Sequence, residues 1–133
     1  MNSEIVGLNY VSLYIKDFEK AIEYYKKILG SPQYVEEKTF GWPMGSTWLT
    51  LFPSKYGTSE DSNPCNTEFA IQMSTPEAVD RMYEKFIEAG ATSYSVPTDT
   101  KMYETMRFAC VDDPFGVRVD IYCPLMEDPP VKP

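Results

Sequence analysis

The stretch Tyr10-Val11-Ser12-Leu13-Tyr14-Ile15-Lys16-Asp17-Phe18-Glu19-Lys20-Ala21-Ile22-Glu23-Tyr24-Tyr25-Lys26-Lys27-Ile28-Leu29-Gly30 decides the reading of the fold. Its opening alternates. Val11, Leu13 and Ile15 share one side, and Tyr10, Ser12 and Tyr14 the other, as side chains of a strand do. The strand is expected over Leu8 to Ile15. Apolar residues then recur at three- and four-residue spacing: Phe18, Ala21, Ile22, Tyr25, Ile28 and Leu29. That spacing predicts a helix over about Phe18 to Leu29 with one buried stripe. Asp17 stands at its N-cap, Glu19 suits the positive helix start, and Gly30 stops it.

The same order returns 58 residues later, where Tyr10 falls on Glu68, Glu19 on Glu77, Tyr25 on Tyr83 and Lys27 on Lys85. Glu68 to Met73 alternates. A helix comes next, from Pro76 to Ala89, capped by Thr75, with Pro76 in the first turn where a missing N–H does no harm and Gly90 at the end. Val79, Met82, Tyr83, Phe86 and Ile87 form its stripe. Short strand-like runs succeed each helix: Gln33 to Glu37, Thr39 to Trp42 and Thr47 to Phe52 in the first half, and Thr92 to Val96, Met106 to Val111 and Val117 to Tyr122 in the second. Each half reads β-α-β-β-β, an α+β pattern duplicated within one chain. Pro53 to Asn66, rich in Ser, Gly, Pro and acidic residues, links the halves. One domain is expected over residues 1–125, with modules at about 5–53 and 67–124, and a flexible tail over 126–133 around Pro129-Pro130.

Composition narrows the chemistry. The chain has 133 residues, enough for one well-buried core. A net charge of −8 with no Lys/Arg cluster argues against nucleic acid as a partner. No apolar run is long enough for a membrane helix, and the N-terminus lacks signal-peptide features, so a cytoplasmic location is expected. The three cysteines, Cys65, Cys110 and Cys123, show no C-x-x-C spacing, and Cys110 reads as core filling. Histidine is absent altogether. That removes the commonest base near neutral pH, the commonest ligand for catalytic zinc, and all Ser-His-Asp or Cys-His machinery.

Tyr10 to Asp17, Ala21 to Tyr25 and Leu29-Gly30 together resemble the opening of a vicinal-oxygen-chelate module, the superfamily of glyoxalases, bleomycin-resistance proteins and extradiol dioxygenases. Arg107-Phe108-Ala109-Cys110-Val111-Asp112-Asp113-Pro114-Phe115-Gly116, and then Val117 to Tyr122, resembles its close. Asp-Pro-x-Gly is also a sound turn, with Pro fixing φ at its second position and Gly free to take the backbone angles that end it. The resemblance implies two βαβββ modules paired into a rolled mixed sheet, helices outside, with the site on the concave face. In the metal-dependent members it implies one ligand on the first and one on the last strand of each module, which are Tyr10, Trp48, Glu68 and Asp120 here. Trp48 cannot ligate a metal, and Tyr10 would do so only as a phenolate. The expectation is therefore a protein with no cofactor and no metal. The lesser alternative is a weak Mg²⁺ or Mn²⁺ site on Tyr10, Glu68 and Asp120.

Alternation also sorts the strand faces. Val11, Leu13 and Ile15; Leu49 and Leu51; Phe69, Ile71 and Met73; and Val119 and Ile121 suit packing beneath helices. Tyr10, Ser12 and Tyr14, Trp48, Thr50 and Phe52, Glu68 and Gln72, and Arg118, Asp120 and Tyr122 fall on the other side. So many rings are a heavy apolar load for a solvated face, and they favour a ligand pocket or a homodimer interface. The expected ligand-binding residues are Tyr10, Tyr14, Trp48, Thr50, Glu68, Gln72, Arg118, Asp120 and Tyr122. One function is sequestration of a small organic ligand, cationic or aromatic, as the resemblance to bleomycin-resistance proteins implies. Another is a lyase or isomerase in which Glu68, Asp120 and Tyr10 are the catalytic candidates, with Tyr10 or Arg118 steadying an oxyanion. The side chains do not support lactoylglutathione lyase activity of the metal-dependent type. The plainest alternative is that Arg118 and Asp120 form an ordinary ion pair. A protein-interaction module has only the proline-rich tail in its favour.

Overall fold

A computed structural model of the chain describes residues 4–125; the expected tail lies outside the described residues. The chain divides between Pro64 and Cys65 into two compact units, each with the β-α-β-β-β order. In the first, β1 (Tyr10–Ile15), α1 (Phe18–Leu29), β2 (Tyr34–Glu36), β3 (Thr39–Met44) and β4 (Thr47–Pro53) form a four-stranded sheet of order β1-β4-β3-β2. In the second, β5 (Thr67–Gln72), α2 (Pro76–Ala89), β6 (Thr92–Met102), β7 (Glu104–Asp112) and β8 (Val117–Pro124) form a sheet of order β5-β8-β7-β6. The first and last strands of each module pair in parallel, and the remaining pairs are antiparallel. The α+β class and the duplicated βαβββ modules are thus those the sequence predicts.

The aliphatic faces of β1, β4 and β8 are where alternation puts them, whereas Phe69, Ile71 and Met73, expected beneath the helix, are only half-buried. In the first module α1 packs on β1 and β4, and Leu13, Ile15, Leu49 and Leu51 are buried with Ala21, Ile22, Tyr25 and Ile28 of the helix. Tyr24, outside the expected stripe, is buried too and meets Tyr25 edge-on at 4.9 Å between centroids. In the second, α2 packs on β6, β7 and β8 over Val79, Tyr83, Phe86, Ala109, Val111, Val119 and Ile121. Each fully buried large aliphatic or aromatic side chain contributes about 1.5–3 kcal/mol from water exclusion.

Local chemistry fixes the ends of these elements. Thr75 Oγ1 accepts from the Ala78 amide at 3.1 Å, completing the predicted cap of α2. Asp17 departs from expectation: it occupies the N-cap of α1, but its side chain makes no capping hydrogen bond. The turn between β7 and β8 is held by Asp113, which is buried and accepts from the Phe115 and Val117 amides, both at 2.8 Å. Gly116 closes that turn at φ 92°, a conformation costly for any residue with a Cβ.

The strand bounds differ from the sequence reading chiefly at β6. Pro97 reads as a strand breaker, yet β6 runs on to Met102. It is the edge strand of its sheet, where a missing N–H does no harm, and two register shifts between Ser93 and Thr98 absorb the ring. The expected linker also holds a short 3₁₀ turn, Ser54–Tyr56.

Candidate functional site

The polar faces of the two sheets carry different chemistry. On the first module, Tyr10 lies beside Trp48 in the parallel register, Ser12 beside Thr50, and Tyr14 beside Phe52. Tyr14 and Phe52 stack at 5.2 Å between centroids, 18° from parallel. Thr50 is buried; its hydroxyl donates to Val11 O at 3.3 Å and shares a 2.7 Å hydrogen bond with Ser12 Oγ. Trp48 crosses Gly41, where an added Cβ would stand 3.2 Å from the indole. Tyr10 remains 65% exposed. On this face β1 and β4 carry rings and hydroxyls and no charged side chain.

On the second module the register sets Glu68 beside Arg118, Ala70 beside Asp120, and Gln72 beside Tyr122. Across β8, β7 places Asp112 opposite Arg118, Cys110 opposite Asp120 and Phe108 opposite Tyr122. Tyr122 donates to Gln72 Oε1 at 3.3 Å. Six of the predicted residues are thereby gathered into lateral neighbours within their own modules: Tyr10 with Trp48, Glu68 with Arg118, and Gln72 with Tyr122. The registers also refine the correspondence between modules, because the counterpart of Trp48 is Arg118 and that of Asp120 is Thr50.

Arg118 does not pair with Asp120. Its Nε donates to Asp112 Oδ1 at 2.7 Å and its second guanidinium nitrogen to Asp112 Oδ2 at 3.0 Å. The reason is geometric: Asp112 lies directly opposite Arg118 on the antiparallel neighbour, whereas Asp120 is two residues along the same strand. Arg118 also lies 3.7 Å from the centre of the Tyr94 ring, which the β6 irregularity makes available. The pairing holds the Asp112 carboxyl below its usual range and the guanidinium firmly charged.

Asp120 is left with Glu68 and Cys110, the donor atoms of all three lying within 4.8 Å of one another. Asp120 Oδ1 is buried with no hydrogen-bond partner among the described residues. The Glu68 carboxyl is raised above its ordinary value by hydrogen bonding to Asp120 and by that neighbour's charge. Cys110 is 3% exposed, and burial, then the proximity of Asp120, pushes its thiol up to about 12. The expectation that Cys110 fills the core holds, but its Sγ also abuts the carboxylate pair. Cys110 and Asp112 were legible as companions on one face by alternation along β7; Tyr94 was not, because the bulge breaks its parity.

Beside this group a cleft of about 470 Å³ opens where β5 and β8 begin, lined by Cys65, Asn66, Thr67, Glu68, Asp112, Gly116 and Arg118. No aromatic side chain is among them. The donor set at the four positions implied by the resemblance does not fit a metal of that type: the Trp48 indole has no lone pair to give, Thr50, its replacement by register, has its hydroxyl engaged with Ser12 and Val11, and Tyr10 is an exposed phenol. Among the described residues no helix is long and apolar enough to cross a membrane.

A model of the glyoxalase/bleomycin resistance protein/dioxygenase superfamily matches residues 7–121. Solved structures share the fold. One is a glyoxalase-related enzyme from Fulvimarina pelagi, with TM-score 0.73 and 18% identity, over 96% of this chain and 98% of that one. A glyoxalase/bleomycin resistance protein/dioxygenase from Nocardioides gives 0.70 and 18% identity, over 100% and 93%. A glyoxalase/bleomycin resistance protein from Albidiferax ferrireducens gives 0.73 and 16%, over 87% and 98%. None of the curated proteins is similar enough in sequence to match.

Proposed function

Because this chain belongs to the glyoxalase/bleomycin resistance protein/dioxygenase superfamily, we propose that it binds a small organic cation in the cleft of its second module, without the metal centre of the superfamily's metal-dependent members. One observation carries the reading: among the described residues, the only cationic side chain lining the cleft is hydrogen-bonded to Asp112, so the charge of Arg118 tempers Glu68 only from a distance and the Glu68–Asp120 pair has no ion-pair partner of its own. Carboxylates in that state attract a cation or hold a proton between them. The cleft volume is that of a site for a small organic molecule, within the usual range of about 300–1,000 Å³. Calorimetric titration with alkylammonium ions and with carboxylates of matched size tests it. Cations bind and anions do not, and Glu68→Gln weakens the binding. Tighter binding of the anions would refute the reading.

The raised Glu68 carboxyl favours a second reading, a lyase or isomerase of this superfamily. A carboxylate made more basic by its neighbour suits proton abstraction next to a carbonyl, and the guanidinium N–H groups of Arg118 not used on Asp112 would steady the oxyanion. Glu68→Gln then abolishes turnover of any substrate found; turnover at the original rate would exclude Glu68 as the base.

A further inference from the structure

The chemistry of the cleft wall narrows the class of cation. Proteins that hold quaternary ammonium groups do so with aromatic faces, since such a cation has no N–H to donate. Among the described residues, no aromatic side chain lines this cleft. The Tyr94 ring, beside Arg118, already carries the guanidinium at 3.7 Å. The wall presents acceptors instead: the Glu68 carboxylate, the Asp112 carboxylate, and the amide and hydroxyl oxygens of Asn66 and Thr67. Asp120 behind Glu68 adds a negative charge whose Oδ1 has no hydrogen-bond donor among the described residues.

Resting on the cation-binding reading above, we infer that the second-module cleft selects cations bearing N–H groups, namely primary or secondary ammonium or guanidinium ions, and discriminates against quaternary ammonium. The ammonium donates to Glu68 at the point where Glu68 meets Asp120, and its charge offsets the repulsion between the two carboxylates. Full N-methylation removes these charge-assisted hydrogen bonds, so it weakens binding roughly ten-fold or more.

The test compares hexylammonium with hexyltrimethylammonium, two monocations on the same chain, by titration calorimetry of the full-length protein. The primary ion binds at least about ten-fold more tightly, and Glu68→Gln removes the preference. Should Glu68→Gln fail to fold, as judged by circular dichroism, Asp120→Asn serves, and it reduces the preference in the same direction. Equal or tighter binding of hexyltrimethylammonium overturns the selectivity and leaves cation binding standing. Absence of binding by either ion at millimolar concentration overturns both. A preference that persists in a folded Glu68→Gln or Asp120→Asn protein overturns the assignment to this cleft.

Discussion

The two modules share a scaffold and part company on their polar faces. Each begins with a strand that pairs in parallel with its last, and each lays one amphipathic helix over aliphatic side chains. Yet where the first carries Tyr10 beside Trp48, the second carries Glu68 beside Arg118, and where the first pairs Ser12 with Thr50, the second pairs Ala70 with Asp120. In the first module Thr50 is satisfied by Ser12 and Val11, and the buried group left without a partner among the described residues is a neutral hydroxyl, Thr39 Oγ1. In the second, the group left without a donor among the described residues is a buried carboxylate oxygen, Asp120 Oδ1. The aliphatic face of a duplicated strand is constrained by the helix above it. The opposite face is free to diverge, and there the halves acquire different chemistry.

The shared scaffold breaks most severely through its core. Phe86→Ala empties a fully buried site between α2 and its sheet and lowers stability by about 3–5 kcal/mol, read from chemical denaturation. Asp113→Ala removes the acceptor of two backbone amides in the β7–β8 turn and costs about 2 kcal/mol in the same assay. Because that turn sets the register of Arg118 and Asp120, the variant also loses cation binding in the calorimeter.

Smaller effects sharpen the contrast between the faces. Arg118→Gln removes the partner of Asp112, at little cost in stability for so exposed a pair. It makes the cleft more anionic, so alkylammonium ions bind more tightly, a direction opposite to that of Glu68→Gln.

The least effect on stability lies in its pH dependence. Glu68 is raised in the fold, so its contribution is full below the ordinary glutamate range and is lost as pH rises through its raised value. Asp112 is lowered by Arg118, so its contribution is present above the ordinary aspartate range and is lost as pH falls through its lowered value. Glu68→Gln therefore stabilises the protein slightly at neutral pH, an effect kept small by solvent screening of so exposed a group, and the gain vanishes in acid. Thermal melts at both pH values read it; a gain confined to acid would reverse the sign argued for Glu68.

Much of the scaffold was legible because its signals are local. The spacing from Phe18 to Leu29 gives α1, and Thr75, Pro76 and Gly90 bound α2 to the residue. The extent of β6 was not legible, since the tolerance of an edge strand for Pro97 depends on which strands neighbour it. The site obeyed the same division. Alternation placed Glu68, Arg118 and Asp120 on one face, whereas the partner of Arg118 was decided across strands by the β7–β8 register. Cys110 was read as core, which it is, but its approach to Asp120 depends on the same pairing. Sequence shows which face a side chain takes; the partner it meets there depends on register and bulges.

The cation reading stands or falls with Glu68 and Asp120 as neighbouring carboxylates that lack an ion-pair partner of their own among the described residues. Tracking the side-chain carboxyl carbons of Glu68 and Asp120 by NMR through a pH titration, with and without hexylammonium, tests it directly. Glu68 titrates above the ordinary glutamate value in the free protein and falls toward it when the ammonium is present. Titration at the ordinary value, unmoved by the added cation, would contradict the account.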